Sequence, residues 1–116
     1  AAAVVNLMGG SDEQALHGAA IALKNMLGLV CDPVCGLVEI PCIKRNAIGA
    51  STALVSADMA LAGVQSYIPF DEVVTAMYAI GKQLPAELRE TGRGGLAVTK
   101  TGLAMYETLF GTPMSL

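Results

Sequence analysis

Apolar residues recur every three or four positions along much of this chain, which is the spacing of one face of an α-helix. The first such segment opens with Ser11 and Gln14, a capping-box pair in which each side chain bonds the backbone amide of the other residue. Gly28 follows the segment and favours the end of the helix there. The apolar stripe predicted for this helix is Leu16, Ala20, Leu23 and Leu27.

A longer segment, about residues 41–63, has apolar residues in two rows rather than one. Pro41 suits the first helical position, where its missing N–H would have no partner in any case, and Gly63 marks the end. The rows are Ala47, Ala50, Leu54, Ala57 and Leu61, and Ile48, Val55, Met59 and Ala62. A helix that is apolar on two faces is buried by neighbours on two sides. The pattern therefore predicts a buried central helix.

The C-terminal half of the chain predicts two further helices and one short turn. Asp71 is the expected N-cap of the first, a turn follows at residues 85–88, and the last helix covers residues 101–110 and ends at Gly111. No strand pattern of comparable strength occurs. The fold class predicted is all-α, a compact bundle of about five helices with a buried central helix and an irregular loop, residues 29–40, that carries cysteines.

Composition agrees with a single helical domain over residues 1–116. Hydrophobic residues make up 53% of the chain but aromatic residues only 4%, and there are 13 Gly. Small side chains of this kind favour closely packed backbones. Charged residues are only 15%, against about 25% in ordinary soluble domains. The apolar excess excludes disorder, and it predicts an exposed apolar patch or self-association if part of the surface packs against another segment.

Charge and hydropathy narrow the class of partner. A net charge of -3 gives no basic stripe for nucleic acid. The longest uncharged interior runs, residues 46–57 and 59–70, are each 12 residues long, whereas a membrane span needs about 20. We expect neither nucleic acid nor membrane as a partner, but a small molecule or another protein surface. The chain begins Ala-Ala-Ala with no basic segment of a signal peptide, and we interpret this start as a cut inside a longer protein.

Three cysteines carry the densest chemical information. Cys31 and Cys35 lie in the predicted loop, and Cys42 lies in the first turn of the central helix. A thiolate at a helix N-terminus is favoured by the helix dipole and is a better metal ligand for it. Buried, idle thiols are the alternative, since free Cys often packs as a small hydrophobic residue. His17 is the only His, so an iron-sulfur cluster fits better than a four-ligand zinc site.

Residues 31–47 closely resemble the cluster-binding segment of the iron-sulfur-dependent L-serine dehydratases. The likeness rests on Cys31-Asp32-Pro33-Val34, on Gly36-Leu37-Val38 and on Pro41-Cys42-Ile43-Lys44-Arg45-Asn46-Ala47. A second stretch, residues 90–97 (Glu-Thr-Gly-Arg-Gly-Gly-Leu-Ala), resembles the same family, so the likeness covers almost the whole chain. It points to the C-terminal part of the alpha subunit, or catalytic domain, of such an enzyme.

The resemblance implies an L-serine ammonia-lyase that converts L-serine to pyruvate and ammonia in amino-acid catabolism and gluconeogenesis. The family uses a [4Fe-4S] cluster held by three cysteines, and the open iron activates the substrate hydroxyl. A role for this iron as a Lewis acid is chemically reasonable, because hydroxide is a poor leaving group and a bound cation stabilises the charge that develops on it. By position, Cys31 and Cys42 match the family's paired ligands, and the third ligand is expected upstream of Ala1. The isolated fragment is then expected to hold no complete cluster and to be inactive.

The resemblance also bears on the neighbouring residues. Lys44, Arg45 and Asn46 are the candidate substrate-binding residues, since a cation with an amide donor beside Cys42 suits a carboxylate; a solvated helix start is the alternative. Asp32 is expected to cap a turn or to bond loop amides. His17 is interpreted as structural. Residues 90–95 either close over the substrate or simply join two helices, and the general base is not identifiable.

Cys35 departs from the family pattern and is interpreted as a packing residue rather than a replacement ligand. Expected partners are L-serine, a beta subunit or the N-terminal part of the same enzyme, and further copies of the chain. Three cysteines without a signal peptide favour the reducing cytoplasm. Two alternatives stay open: a related cysteine desulfidase-type lyase that releases sulfide, and a non-catalytic helical assembly module whose thiols are idle.

Overall fold

The structure is a computed structural model that describes residues 1–115. Within these residues the chain folds into five α-helices and three short 3-10 helices. No strand occurs between residues 1 and 115, which confirms the all-α fold class. The α-helices are α1 (Ala2–Leu7), α2 (Asp12–Lys24), α3 (Cys42–Leu61), α4 (Phe70–Gln83) and α5 (Lys100–Phe110). The 3-10 helices are Val34–Gly36, Ala86–Leu88 and Gly95–Val98.

Two compact units share these helices. The first unit comprises Ala1–Gly28 and Ala47–Gln83, and the second comprises Leu29–Asn46 and the segment that begins at Leu84. The division falls within α3, whose first residues belong to the second unit. None of the helices within residues 1–115 is both long enough and apolar enough to cross a membrane.

The predicted start of α2 is confirmed in detail. The Ser11 hydroxyl accepts a hydrogen bond from the Gln14 amide at 3.2 Å, and the Gln14 side chain accepts one from the Ser11 amide at 3.0 Å. Gln14 also donates to the Ala60 carbonyl at 3.1 Å, which ties α2 to α3 within the first unit. The predicted stripe needs correction, because Leu16 is 55% exposed and the buried residues of α2 are Gly18, Ala20 and Ile21.

Burial of α3 also differs from expectation. Only Ser56, Ala57 and Ala60 are buried, all in the C-terminal part of the helix. Ala57 and Ala60 pack with Val5 of α1 into the core of the first unit. Most of both predicted rows is exposed: Leu54 of the first row is 55% exposed and Ile48 of the second row is 65% exposed. The prediction of a helix buried on two sides is therefore wrong, because burial is confined to the C-terminal part of the helix, and exposed apolar surface is present as expected.

The remaining boundaries lie close to their predicted positions. Helix α4 begins at Phe70, one residue before the predicted N-cap Asp71, and the predicted short turn is the 3-10 helix Ala86–Leu88. Helix α5 ends at Gly111, whose φ of 70° is the left-handed cap conformation. The short α1 was not predicted, and its N-terminus has no side-chain cap that could have signalled it.

Candidate metal centre

Cys31 is held by backbone contacts to a distant part of the second unit. Its amide donates to the Leu88 carbonyl at 2.9 Å, and its carbonyl accepts from the Glu90 amide at 2.7 Å. These two bonds flank Arg89, with which Cys31 forms a single parallel bridge. The thiol-bearing loop is therefore fixed to the segment that precedes the glycine-rich residues 91–95.

Cys42 is the first residue of α3. Its thiol is free and partly exposed, as is the thiol of Cys31. The first turn of a helix presents unpaired amides and the positive end of the helix dipole, and both stabilise a thiolate. The position predicted for Cys42 is thus confirmed, while its predicted role as a ligand stays a prediction.

The two thiols are electrostatically coupled. Burial raises the pKa of the Cys31 thiol, and the neighbouring Glu90, Cys42 and Asp32 raise it further, against the opposing effect of Arg45. A thiol with a raised pKa keeps its proton until a cation replaces it. A thiophilic metal ion bound at both sulfurs would supply that cation and release the protons.

The buried Asp32 and the half-exposed Arg45 form an ion pair beside these thiols. Arg45 Nη1 lies 2.6 Å from Asp32 Oδ1 and also donates to the Val30 carbonyl at 3.0 Å. The other carboxylate oxygen, Oδ2, accepts from the Leu96 amide at 2.7 Å. Burial disfavours the Asp32 carboxylate, but the Leu96 amide and Arg45 outweigh it, so the net effect is a lowered pKa of Asp32.

Gly95 explains how the Leu96 amide reaches Asp32. A Cβ at position 95 would lie 2.7 Å from the Cβ of Asp32, and the φ of 58° is also unfavourable for other residues. The glycine-rich segment therefore approaches Asp32 closely because it lacks side chains there. Asp32 therefore bonds a backbone amide as expected, although this amide lies in the 3-10 helix Gly95–Val98, 64 residues away, and not in the neighbouring loop.

The other predicted site residues lie on the first turns of α3. Lys44 and Asn46 are exposed, and the Arg45 side chain is 37% exposed. Nη1 makes both of the hydrogen bonds that Arg45 forms with the described part of the chain, so the rest of the guanidinium keeps donors for a ligand. Their predicted substrate-binding role is compatible with this geometry and stays a prediction.

Cys35 and His17 have local contacts that account for them. Cys35 is 8% exposed at the 3-10 turn, with a φ of 58°, and it lines an apolar cavity of about 240 Å³ with Val34 and Met105 among others. His17 Nδ1 accepts a hydrogen bond from the buried Ser66 amide at 3.3 Å, within the first unit.

Within residues 1–115, no three Cys, His, Asp or Glu side chains are grouped as metal ligands.

Comparison with known proteins decides the family. Residues 1–97 match the family described as serine dehydratase alpha chain. The chain belongs to the serine dehydratase alpha-chain family. The resemblance found in residues 31–47 and 90–97 is thereby confirmed at the level of the family.

Relatives within this family are more than 40% identical to the chain. The probable L-serine dehydratase alpha chain of Bacillus subtilis is 62% identical over 111 residues, which is 96% of this chain and 37% of that protein. A second probable alpha chain, from Latilactobacillus sakei, is 59% identical over 116 residues, all of this chain and 56% of the relative. L-serine dehydratase 1 of Escherichia coli is 46% identical over 99 residues, 84% of this chain and 22% of the relative. The chain thus spans between about a fifth and about half of these relatives.

Proposed function

We propose that this chain is part of an iron-sulfur L-serine ammonia-lyase, which deaminates L-serine to pyruvate and ammonia. Membership of the serine dehydratase alpha-chain family carries the proposal. Named relatives are L-serine dehydratases, although the chain spans only part of each. The three free cysteines suit the reducing cytoplasm, where we place the enzyme.

The donor set fits part of an iron-sulfur cluster. Cys31 and Cys42 are free, partly exposed and coupled in charge, and thiolates are the ligands such clusters require. We assign these two residues as ligands and place the third ligand outside this chain. When bound, the cluster supplies an open iron that acts as a Lewis acid for the leaving hydroxyl.

The first turns of α3 supply the substrate contacts in this proposal. The unused donors of Arg45 receive the substrate carboxylate in a charge-assisted hydrogen bond. Asn46 adds an amide donor, and Lys44 adds positive charge at the mouth of the site. Because Arg45 is anchored to Asp32, its guanidinium is oriented before the substrate arrives, which reduces the entropy lost on binding.

The test measures pyruvate formation by the complete enzyme that carries this sequence, reconstituted with iron and sulfide without oxygen. Cys31→Ser and Cys42→Ser are expected to lose at least about 100-fold in activity, since direct ligands matter at least as much as the residues that support them. The matched control, Cys35→Ser, is expected to stay close to wild type.

Other outcomes distinguish the alternatives. Undiminished pyruvate formation from L-serine in both ligand variants contradicts the metal role of these cysteines. Release of sulfide from L-cysteine with no turnover of L-serine indicates a cysteine desulfidase-type lyase. Absence of turnover with either amino acid, in a folded enzyme that retains no iron after reconstitution, favours the assembly module.

A further inference from the structure

One guanidinium nitrogen bonds to the residues on both sides of Cys31. Arg45 Nη1 donates to the carbonyl of Val30, the residue before Cys31, and to the carboxylate of Asp32, the residue after it. The two acceptors lie at 3.0 Å and 2.6 Å. The loop therefore cannot shift at Cys31 without breaking at least one bond to Arg45.

The same side chain is attached to the second thiol through α3. Arg45 follows Cys42 by one helical turn, so both residues lie on the same side of the helix start. The α-helix between them is rigid, so the bonds of the guanidinium limit how far the Cys42 backbone can move from residues 30–32. Arg45 consequently links the two cysteine-bearing segments, residues 30–32 and the first turn of α3.

Asp32 is the other half of this link. Its side chain is only 3% exposed, and its two carboxylate oxygens have one partner each, Arg45 and the Leu96 amide. A buried carboxylate requires such partners, because an unpaired charge away from water is strongly disfavoured. The glycine-rich segment is thus joined to the same pair.

We propose that Asp32 and Arg45 are positioning residues that set the separation of the Cys31 and Cys42 thiols for a shared metal group. The inference rests on the proposed function, and it concerns the ion pair rather than the ligands themselves. The pair joins residues 30–32 to the first turns of α3, so it restricts the positions of the two thiols. Ordered ligands bind more tightly because less conformational entropy is lost on binding.

The test uses the complete enzyme that carries this sequence, prepared without its metal group, with Cys35→Ser as the background and cobalt(II) alone as the probe, under anaerobic conditions. Sulfur-to-cobalt charge-transfer absorption reports thiolate ligation, and titration gives the Kd. Asp32→Asn keeps the shape and an acceptor for Leu96, but it places an amide against Arg45. We expect this variant to bind cobalt about 10- to 100-fold more weakly, the range typical of residues that orient metal ligands.

Two further variants separate positioning from general stability. Thr99→Ala removes the N-cap of α5 in the same unit and is expected to leave the cobalt Kd unchanged. Arg45→Lys keeps the charge but reaches only one of the two acceptors, so its loss should be smaller than that of Asp32→Asn. Because Arg45 is 37% exposed, Arg45→Lys should disturb folding less than Asp32→Asn. If Asp32→Asn does not fold, the cobalt Kd of Arg45→Lys decides whether the pair positions the thiols.

The outcomes are distinct. Cobalt affinity within twofold of the background in Asp32→Asn, or in Arg45→Lys where that variant decides, overturns the positioning role. An equal loss of affinity in Thr99→Ala also overturns it, because instability alone would then explain the effect. If Cys31→Ser and Cys42→Ser both bind cobalt as well as the background, the metal role in the proposed function fails instead.

Discussion

The contacts inside the first unit differ from the contacts inside the second unit. In the first unit, Val5, Ala57 and Ala60 form a core of small apolar side chains, each at most 1% exposed. In the second unit, apolar Ala97, Val34 and Cys35 are buried as well, but so is the charged Asp32, whose carboxylate is bonded to Arg45 and to the Leu96 amide. The second unit therefore adds a buried charge and its hydrogen bonds to the apolar packing that both units share.

The difference indicates where chemistry can take place. Close packing of small side chains stabilises helices but leaves no donors or charges for a substrate. A loop anchored through a buried carboxylate pays the free energy of removing that charge from water. This cost is offset only where the hydrogen-bonding partners of the carboxylate are held in place. The second unit accepts this cost next to Cys31 and Cys42, which supports placing the active site there.

The largest effect on stability is expected from Gly95→Ala in the second unit. The added Cβ meets Asp32, and the φ of 58° penalises alanine, so we expect a loss of about 2–4 kcal/mol in the free energy of unfolding. Gly36→Ala is the control, because its φ is 69° but a Cβ there meets nothing within 4 Å. Urea denaturation should show a clearly smaller loss for Gly36→Ala; equal losses would contradict the importance of the Asp32 contact.

A larger side chain in the core of the first unit should lower the free energy of unfolding. Ala57 is 0% exposed, and Ala57→Leu overfills the core at an expected cost of about 1–3 kcal/mol. Ala47→Leu, at an exposed position on the same helix, should be nearly neutral. Residue-resolved hydrogen exchange measures which unit is destabilised, and faster exchange confined to residues 84–115 of Ala57→Leu would contradict the assignment of this core.

Helix caps provide a matched pair, one in each unit. Ser11 caps α2 and Thr99 caps α5, each by accepting a backbone amide at 3.2 Å. Replacement by Ala is expected to cost about 1 kcal/mol in either case. Thermal unfolding followed by circular dichroism tests this. An unchanged melting temperature for Thr99→Ala alone would show that the N-terminal turn of α5 is already frayed.

Acid should weaken the second unit through Asp32. The pKa of this carboxyl is lower in the folded chain than in the unfolded chain, so its contribution is fully present above the unfolded pKa and is lost as the pH falls through the folded pKa. Asp32→Asn should flatten this part of the stability profile against pH. Identical acid profiles for the variant and the wild type, measured by urea denaturation at several pH values, would contradict the assignment.

Local signals predicted the helices well where the chain provides its own caps. Ser11 with Gln14 marks the start of α2, and Gly111 marks the end of α5, because the atoms that satisfy these helix ends are within a few residues. Helix α1 lacks such a signal. The exposed row of α3 was mistaken for a buried one, because apolar periodicity shows which residues are able to be buried but not whether a neighbour covers them.

The sequence by itself determined the all-α class and the family, since these depend on residue identity and short-range spacing, and through the family resemblance it predicted Cys31 and Cys42 as ligands. Only the tertiary structure decided what surrounds the thiols. Asp32 meets an amide 64 residues later, and Arg45 meets the carbonyl of Val30 across the loop. Such contacts depend on how distant backbone segments approach one another, and one residue without a side chain, Gly95, makes that approach sterically possible.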